Sequence, residues 1–308
     1  MSSQGPDVLA IGEALIDVVR HDGEDHAHPG GSPLNVAIGA SRLGLHAALS
    51  TRFADDEYGD LISRHTADSD VWLTARSIDA DRTSTATATI QPDGSAQYVF
   101  DIDWDWTDDI DFLPKAVHTG SIGAVLQPGG AHVLATIERL RPDCIVSYDP
   151  NARPALMGDR AEAVKTVEQY VRLADIIKAS DEDVEWLYPD RSLEDTARAW
   201  AVMGPALVIV TRGGEGAVVV TSDDSMSYHV APRVTVEDTI GAGDSFMAAL
   251  LASMSLRGLL TVEKRGALHM LDDATVTKLI NDALQCAAIT VTRQGANPPS
   301  TADITVGQ

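Results

Sequence analysis

Short runs of continuously apolar residues, separated by stretches with helical spacing, set the rhythm of this sequence. The runs fall at 8–11, 47–53, 117–119, 144–149, 176–179, 206–211 and 217–221, and helical patterns occupy 32–43, 159–173 and 193–203. A strand that is apolar at every position has no wet face, so it must be covered on both sides. Crossover helices supply that cover and connect parallel neighbours. The pattern therefore predicts an α/β fold: a doubly wound, mostly parallel sheet with helices on both faces. At 308 residues, 44% hydrophobic and 22% charged, the chain can bury one substantial core. No internal repeat or composition break marks a second full domain, so residues 1–308 read as one domain.

Two segments depart from the rhythm, at about 14–29 and 84–106. In the second, STATATIQPDGSAQYVF alternates Thr with Ala and turns at Pro92-Asp93-Gly94, which is the signature of a hairpin. Two such excursions predict a small β lid over the sheet's C-terminal edge, where ligands bind in doubly wound folds. Plain surface loops would show the same pattern. Tyr98, Phe100, Trp104 and Trp106 lie in or just after the hairpin. They are placed either to close over a ligand or to serve core packing or a dimer contact.

Charge narrows the partners. Forty-six acids against 23 bases give a net charge of −23, and no basic block interrupts it, so neither nucleic acid nor an anionic membrane is an expected partner. Cys144 and Cys286 sit in apolar runs and read as core thiols rather than a bridge. The first basic residue is Arg20, unlike a secretory leader, and no apolar run approaches the length of a membrane span. The expected setting is the reduced cytoplasm. Walker A, zinc-cluster, protein-kinase and Gly-x-Ser-x-Gly patterns are absent from the sequence.

Five stretches carry candidate chemistry. In DTIGAGDSF (238–246), Gly241, Ala242 and Gly243 have little or no side chain and open an apolar helix. Their amides and the helix dipole suit an anion, and Asp244 at the same end suits a carboxylate that accepts a proton. An ordinary helix cap would use the same aspartate. In GGSPLNVA (30–37), Gly30 and Gly31 precede a helix with Pro33 in its first turn, leaving Asn35 to point an amide at that end. In GEALID (12–17), an apolar strand delivers Asp17 to the start of the first excursion. DPNAR (149–153) follows a strand and offers Arg153 as a fixed cation for phosphate. TRGGEG (211–216) links two apolar strands and offers Thr211, Gly213 and Gly216 to a nucleotide. Capped turns and tight β-turns account for each of these stretches taken singly.

Taken together, the stretches resemble the ribokinase-like (PfkB) family of sugar kinases, in that family's order and from Gly12 to about Pro299. The most specific are GGSPLNVAIGASRLG and DTIGAGDSF, about 200 residues apart. The resemblance implies an ATP-dependent kinase in which Asp244 is the base and the amides of Gly241, Ala242 and Gly243 form the anion hole. It implies that Asp17, Gly30, Gly31 and Asn35 bind the sugar, that Arg153 approaches the phosphates, and that Ser180, Thr211, Gly213 and Gly216 serve the nucleotide. Mg²⁺ is implied with ATP. The family's Asn-x-x-Glu motif falls on Ser180-Asp181-Glu182-Asp183, so Asp183 stands where a glutamate organises Mg²⁺ through water. A monovalent cation, K⁺, is implied at Asp238, Ile240, Thr290, Arg293 and Gly295, although Pro299 replaces a serine often found at the end of that loop.

Within the family, GEALIDVV, HTGSIG (118–123) and DPNARPAL (149–156) look most like fructokinases, which implies fructose to fructose 6-phosphate. Ribose, 2-keto-3-deoxygluconate and nucleosides remain alternative acceptors. A sugar sensor that has lost catalysis is the alternative of another class. Lids of this family often meet across a two-fold axis, so the resemblance is compatible with a homodimer through the lid.

Overall fold

The computed structural model describes residues 5–21, 24–90, 96–107 and 110–305. The chain runs β1 (Val8–Ile11), β2 (Leu15–His21), β3 (Glu24–Gly30), α1 (Ser32–Arg42), β4 (Ala47–Ser50), α2 (Glu57–Ala67) and β5 (Trp72–Leu73). It continues through β6 (Thr85–Ile90), β7 (Ala96–Asp101), β8 (Ala116–Gly120), α3 (Gly129–Leu140), β9 (Ile145–Asp149), α4 (Pro154–Met157) and α5 (Arg160–Leu173). Then follow β10 (Ile176–Ser180), α6 (Asp181–Leu187), α7 (Leu193–Ala201), β11 (Leu207–Thr211), β12 (Ala217–Thr221) and β13 (Met226–His229). The last elements are α8 (Ala242–Leu256), α9 (Arg265–Leu268), α10 (Asp273–Thr290) and α11 (Thr301–Thr305).

Among the described residues the strands form two sheets. The larger has nine strands in the order β13-β12-β11-β10-β9-β8-β1-β4-β5. Pairing is parallel from β5 through β11 and antiparallel only at the β11-β12-β13 edge. Alternation along each strand feeds two cores: Val8, Ala10, Leu207 and Ile209 face α1, α8 and α10, while Leu9, Ile11, Val208 and Val210 face α3, α5 and α7. Because both faces are buried, these strands read as continuous apolar runs in the sequence.

Local chemistry sets the helix starts. Asp159 accepts from Ala161 N and Glu162 N ahead of α5, Ser192 from Asp195 N ahead of α7, and Asp272 from Thr275 N ahead of α10. Helix α8 is apolar nearly all round, with Asp244 through Met254 buried, because it lies between α1 and α10 rather than at the surface.

The smaller sheet has the order β3-β2-β6-β7, with β2 parallel to β6 and the other pairs antiparallel. Asp17 on β2 is level with Ala86 on β6, which is level with Phe100 on β7. The turn expected at Pro92-Asp93-Gly94 and the Tyr98 side chain lie outside the described residues. Trp104 and Trp106, which follow β7, belong to the large sheet's core. They are buried, and their indole N–H groups donate to Gly123 O at 2.8 Å and Ser50 Oγ at 3.1 Å. A tryptophan that buries its ring and satisfies its one donor inside gains more than one held over an open cleft.

Candidate active site

A cleft of about 990 Å³ lies between the smaller sheet and the C-terminal ends of the large sheet's strands. It extends from Asp17 and Phe100 at one end to Val236, Leu284 and Ala288 at the other. That volume is at the top of the range for small-molecule sites and suits two ligands end to end.

At its middle stands the first turn of α8. Gly241 precedes the helix with φ 74°, and a Cβ there would lie 2.7 Å from Ala296 Cβ, so the turn needs glycine both for its backbone and for its space. Asp244 follows inside the first turn and is 6% exposed. It does not cap its own helix. Its Oδ1 accepts from Ser32 Oγ at 2.6 Å and its Oδ2 from Asn35 Nδ2 at 2.8 Å, so the start of α1 holds the carboxylate in position. Of the three amides ahead of it, Ala242 N–H donates to Thr239 O at 3.3 Å. First-turn amides of a helix lack intrahelical acceptors, so this end presents donors to the cleft.

Asp17 reaches the cleft from β2, and Gly30 sits directly behind its carboxylate on β3. The enclosing walls push the Asp17 carboxyl above its usual range, opposed by the charges of Arg153 and His28. Gly31 and Asn35 also line this end. Asn35 is 7% exposed, and its Oδ1 has no hydrogen-bond partner. That oxygen is itself closed off from solvent, while the residue lines the cleft. Arg153 is exposed at the rim, and its guanidinium donates to Asn151 O, Asn151 Oδ1 and Ala152 O.

At the other end, Ser180, Asp183, Thr211, Gly213 and Gly216 line the wall. Ser180 and Asp183 form a reciprocal cap on α6: Asp183 N donates to Ser180 Oγ at 3.0 Å and Ser180 N to Asp183 Oδ2 at 2.8 Å. The other Asp183 oxygen accepts from Ala152 N at 2.6 Å. This carboxylate therefore fixes the loop that carries Arg153 as well as facing the cleft. Exposed Asp181 and Glu182 stand beside it on the same wall. Mg²⁺ keeps several waters and takes one or two protein carboxylates alongside phosphate oxygens, which this set fits. Among the described residues no three His, Cys, Asp or Glu side chains are grouped to hold a metal by themselves.

Asp238 joins two loops behind the cradle, accepting from Ile240 N at 3.0 Å and Gly295 N at 2.9 Å. Thr290 is buried; its hydroxyl donates to Cys286 O at 3.0 Å and shares a hydrogen bond with the Ser245 hydroxyl at 2.8 Å, and its carbonyl accepts from Arg293 N at 3.0 Å. These two loops, 238–240 and 290–295, are adjacent, and carbonyl oxygens are their resource for a cation.

Three features escape reading by motif. Glu13 is 3% exposed, accepting from Ser32 N at 3.3 Å and Gly123 N at 2.8 Å. Burial pushes its carboxyl up to about 7, against the Ser121 hydroxyl and main-chain donors that favour its charge. Lys178, the one charged residue in β10, donates to Asp149 Oδ2 at 2.6 Å inside the cleft wall. The apolar part of the cleft lining, including Val236, Leu284 and Ala288, carries no motif. The visible signals are an acid four residues before Asp17 in GEALID and one of only five lysines placed inside an apolar run.

Comparison with known proteins agrees with this geometry. Residues 6–303 match the family described as pfkB family carbohydrate kinase. The chain is 34% identical over 267 residues to a fructokinase from Rhizobium leguminosarum bv. trifolii, covering 82% of this chain and 81% of that protein. It is 30% identical to an Escherichia coli fructokinase, over 94% of each chain. Among solved structures, a double-mutant fructokinase from Vibrio cholerae O395 in its fructose-, ADP- and potassium-bound form superposes with a TM-score of 0.82 at 28% identity, covering 97% of both chains. Aminoimidazole riboside kinase from Salmonella enterica, complexed with its riboside and an ATP analogue, gives 0.78 at 25% identity, covering 97% of this chain and 98% of that one. With an aspartate held at a helix N-terminus, a cleft for two ligands and the family match across nearly its full length, this chain belongs to the pfkB family of carbohydrate kinases.

Proposed function

We propose that this protein is a fructokinase, transferring the γ-phosphate of ATP to fructose to give fructose 6-phosphate. The observation that carries the reading is the Asp244 carboxylate, held by Ser32 and Asn35 at the glycine-rich start of α8 and open to the cleft. The fructokinases among its relatives, one of them with fructose and ADP bound, favour this acceptor over a nucleoside.

The residues divide the work. Asp17 and Asn35 hydrogen-bond the sugar hydroxyls, and the backbone at Gly30 and Gly31 lets the ring approach closely. Asp244 accepts the proton of the attacking hydroxyl. The amides of Gly241, Ala242 and Gly243 donate to the phosphoryl group as its charge spreads, with Ala242 giving up its bond to Thr239. Arg153 swings from the rim toward the incoming phosphates. Thr211, Gly213 and Gly216 support the nucleotide, with Ser180 beside them. When bound, Mg²⁺ neutralises phosphate charge; Asp183 and its neighbours on α6 would hold its water shell. Carbonyls of Asp238, Ile240, Thr290, Arg293 and Gly295 would hold K⁺ against the back of the cradle. A cytoplasmic location belongs to the same reading, in keeping with two buried, unbridged cysteines. So does a homodimer through the smaller sheet, where Val19 and Val99 stand exposed; sedimentation reads it directly.

The test is ADP release from MgATP, with and without K⁺, across fructose, ribose, 2-keto-3-deoxygluconate, glucose and adenosine. Fructose should give the highest kcat/KM. A higher value for any other acceptor overturns the assignment, and folded, ATP-binding protein that turns over none of them points to a sensor.

A further inference from the structure

Lys178 is 4% exposed in a strand whose other side chains are apolar or small, and its ammonium pairs with Asp149 on the adjacent strand β9. Burial alone would lower its pKa, but Asp149, Asp183 and Asp244 outweigh that effect and raise it, so the group is a cation. Buried pairs of this kind seldom repay their desolvation, and apolar replacements of similar volume are often as stable. Stability therefore does not account for a lysine here.

Its position does. An ammonium has three N–H donors, and among the described residues Asp149 takes one. A Cβ built on Gly243 would lie 2.6 Å from Lys178 Nζ, so the ammonium lies directly against the third residue of the cradle. Lys178 also lines the cleft. Asp149 is anchored independently, since its other oxygen accepts from Asn151 N at 3.1 Å. A cation with spare donors is thus fixed behind the amides before any substrate arrives.

We propose that Lys178 is a further catalytic residue, its ammonium donating to a non-bridging oxygen of the phosphoryl group as that group rests on the Gly241–Gly243 amides. Asp149 holds the ammonium in place. This rests on the kinase reading above. In the transfer, the sugar hydroxyl oxygen bonds to the γ-phosphorus. The bond from that phosphorus to the β–γ bridging oxygen breaks, its electron pair leaving with ADP, and the hydroxyl proton goes to Asp244. Lys178 keeps its proton throughout and supplies positive charge where the equatorial oxygens carry negative charge. The cradle therefore has a built-in cation, separate from Arg153 at the exposed rim.

The test compares wild type with Lys178→Met and with Lys178→Met/Asp149→Asn. The double variant removes both charges and leaves no orphaned buried ion. It should melt near the wild-type temperature and keep its fructose KM, yet lose about 10²–10³-fold in kcat. In calorimetry without sugar, wild type should bind the ATP analogue AMP-PNP more tightly than ADP, and the double variant should lose that difference. Recovery of wild-type kcat in the double variant overturns the proposal, because Lys178 would then only neutralise Asp149. Should the variants not fold, a crystal structure of wild type with fructose, MgADP and tetrafluoroaluminate decides. Nζ within hydrogen-bond distance of a fluoride supports the assignment, and Nζ engaged with Asp149 alone overturns it. Failure of wild type to phosphorylate fructose would instead sink the substrate assignment, while the analogue comparison would still decide Lys178.

Discussion

Ser32 Oγ donates to Asp244 Oδ1 across 2.6 Å, joining the first turn of α1 to the first turn of α8 over a sequence separation of 212. With Asn35 on the other oxygen, the carboxylate is aimed before substrate binds. Pre-aimed groups of this kind need no reorganisation at the moment of reaction.

Asp244→Asn keeps the shape and both neighbours but removes the proton acceptor. Its kcat should fall about 10²–10⁴-fold. Melting temperature and MgATP affinity should stay near wild type. Turnover within a few-fold of wild type in the ADP-release assay would exclude Asp244 as the base.

Ser32 and Asn35 should separate kinetically. The Ser32 hydroxyl donates to Asp244, so Ser32→Ala should lower kcat about tenfold, the worth of one hydrogen bond to a charged group, with fructose KM little changed. Asn35 also lines the cleft near Asp17, so Asn35→Ala should raise fructose KM as well. Equal effects of both variants on KM would contradict this division.

Glu13 sets a pH dependence of stability. Its carboxyl titrates near 4.5 when unfolded and at about 7 in the fold, so the folded state binds the extra proton between those values. Its contribution is complete below pH 4.5 and lost as pH rises through 7, a span of about 3 kcal/mol. The difference in unfolding free energy between Glu13→Gln and wild type should therefore grow in the variant's favour from pH 5 to 8. A flat difference would mean that Glu13 is not held in this way.

Gly241→Ala forces a side chain onto φ 74° and against Ala296 Cβ. It should cost about 1–3 kcal/mol of stability, and activity should fall further than the melting temperature alone explains, since the cradle amides turn with it. Calorimetry beside the activity assay reads both.

The inner strands of the large sheet were legible because they are buried on both faces and so write local, largely apolar runs, whereas its edge strands β5 and β13 are partly exposed and wrote none. Gly241, Gly243, Asp244 and Asn35 were legible because their neighbours in sequence are also their neighbours in the site. Glu13 and Lys178 were not, because their meaning is created by pairing. Lys178 meets Asp149 only when β9 and β10 lie side by side, and Glu13 meets Gly123 only when β1 and β8 do. Trp104 and Trp106 followed the hairpin closely enough to suggest the lid, yet their indole donors are satisfied in the core. The apolar wall at Leu284 and Ala288 offered no sign at all, since a helix writes the same residues to pack as to line a pocket.

The contact between Ser32 and Asp244 also orders events in time. A ribosome adding 5–20 residues per second needs about 10–40 s to travel from one to the other. Throughout that interval the emerging chain holds Asp17 and Asn35 without Asp244. With Asp244 as the proposed base, a truncated translation product lacking α8 should be inert rather than a leaking kinase.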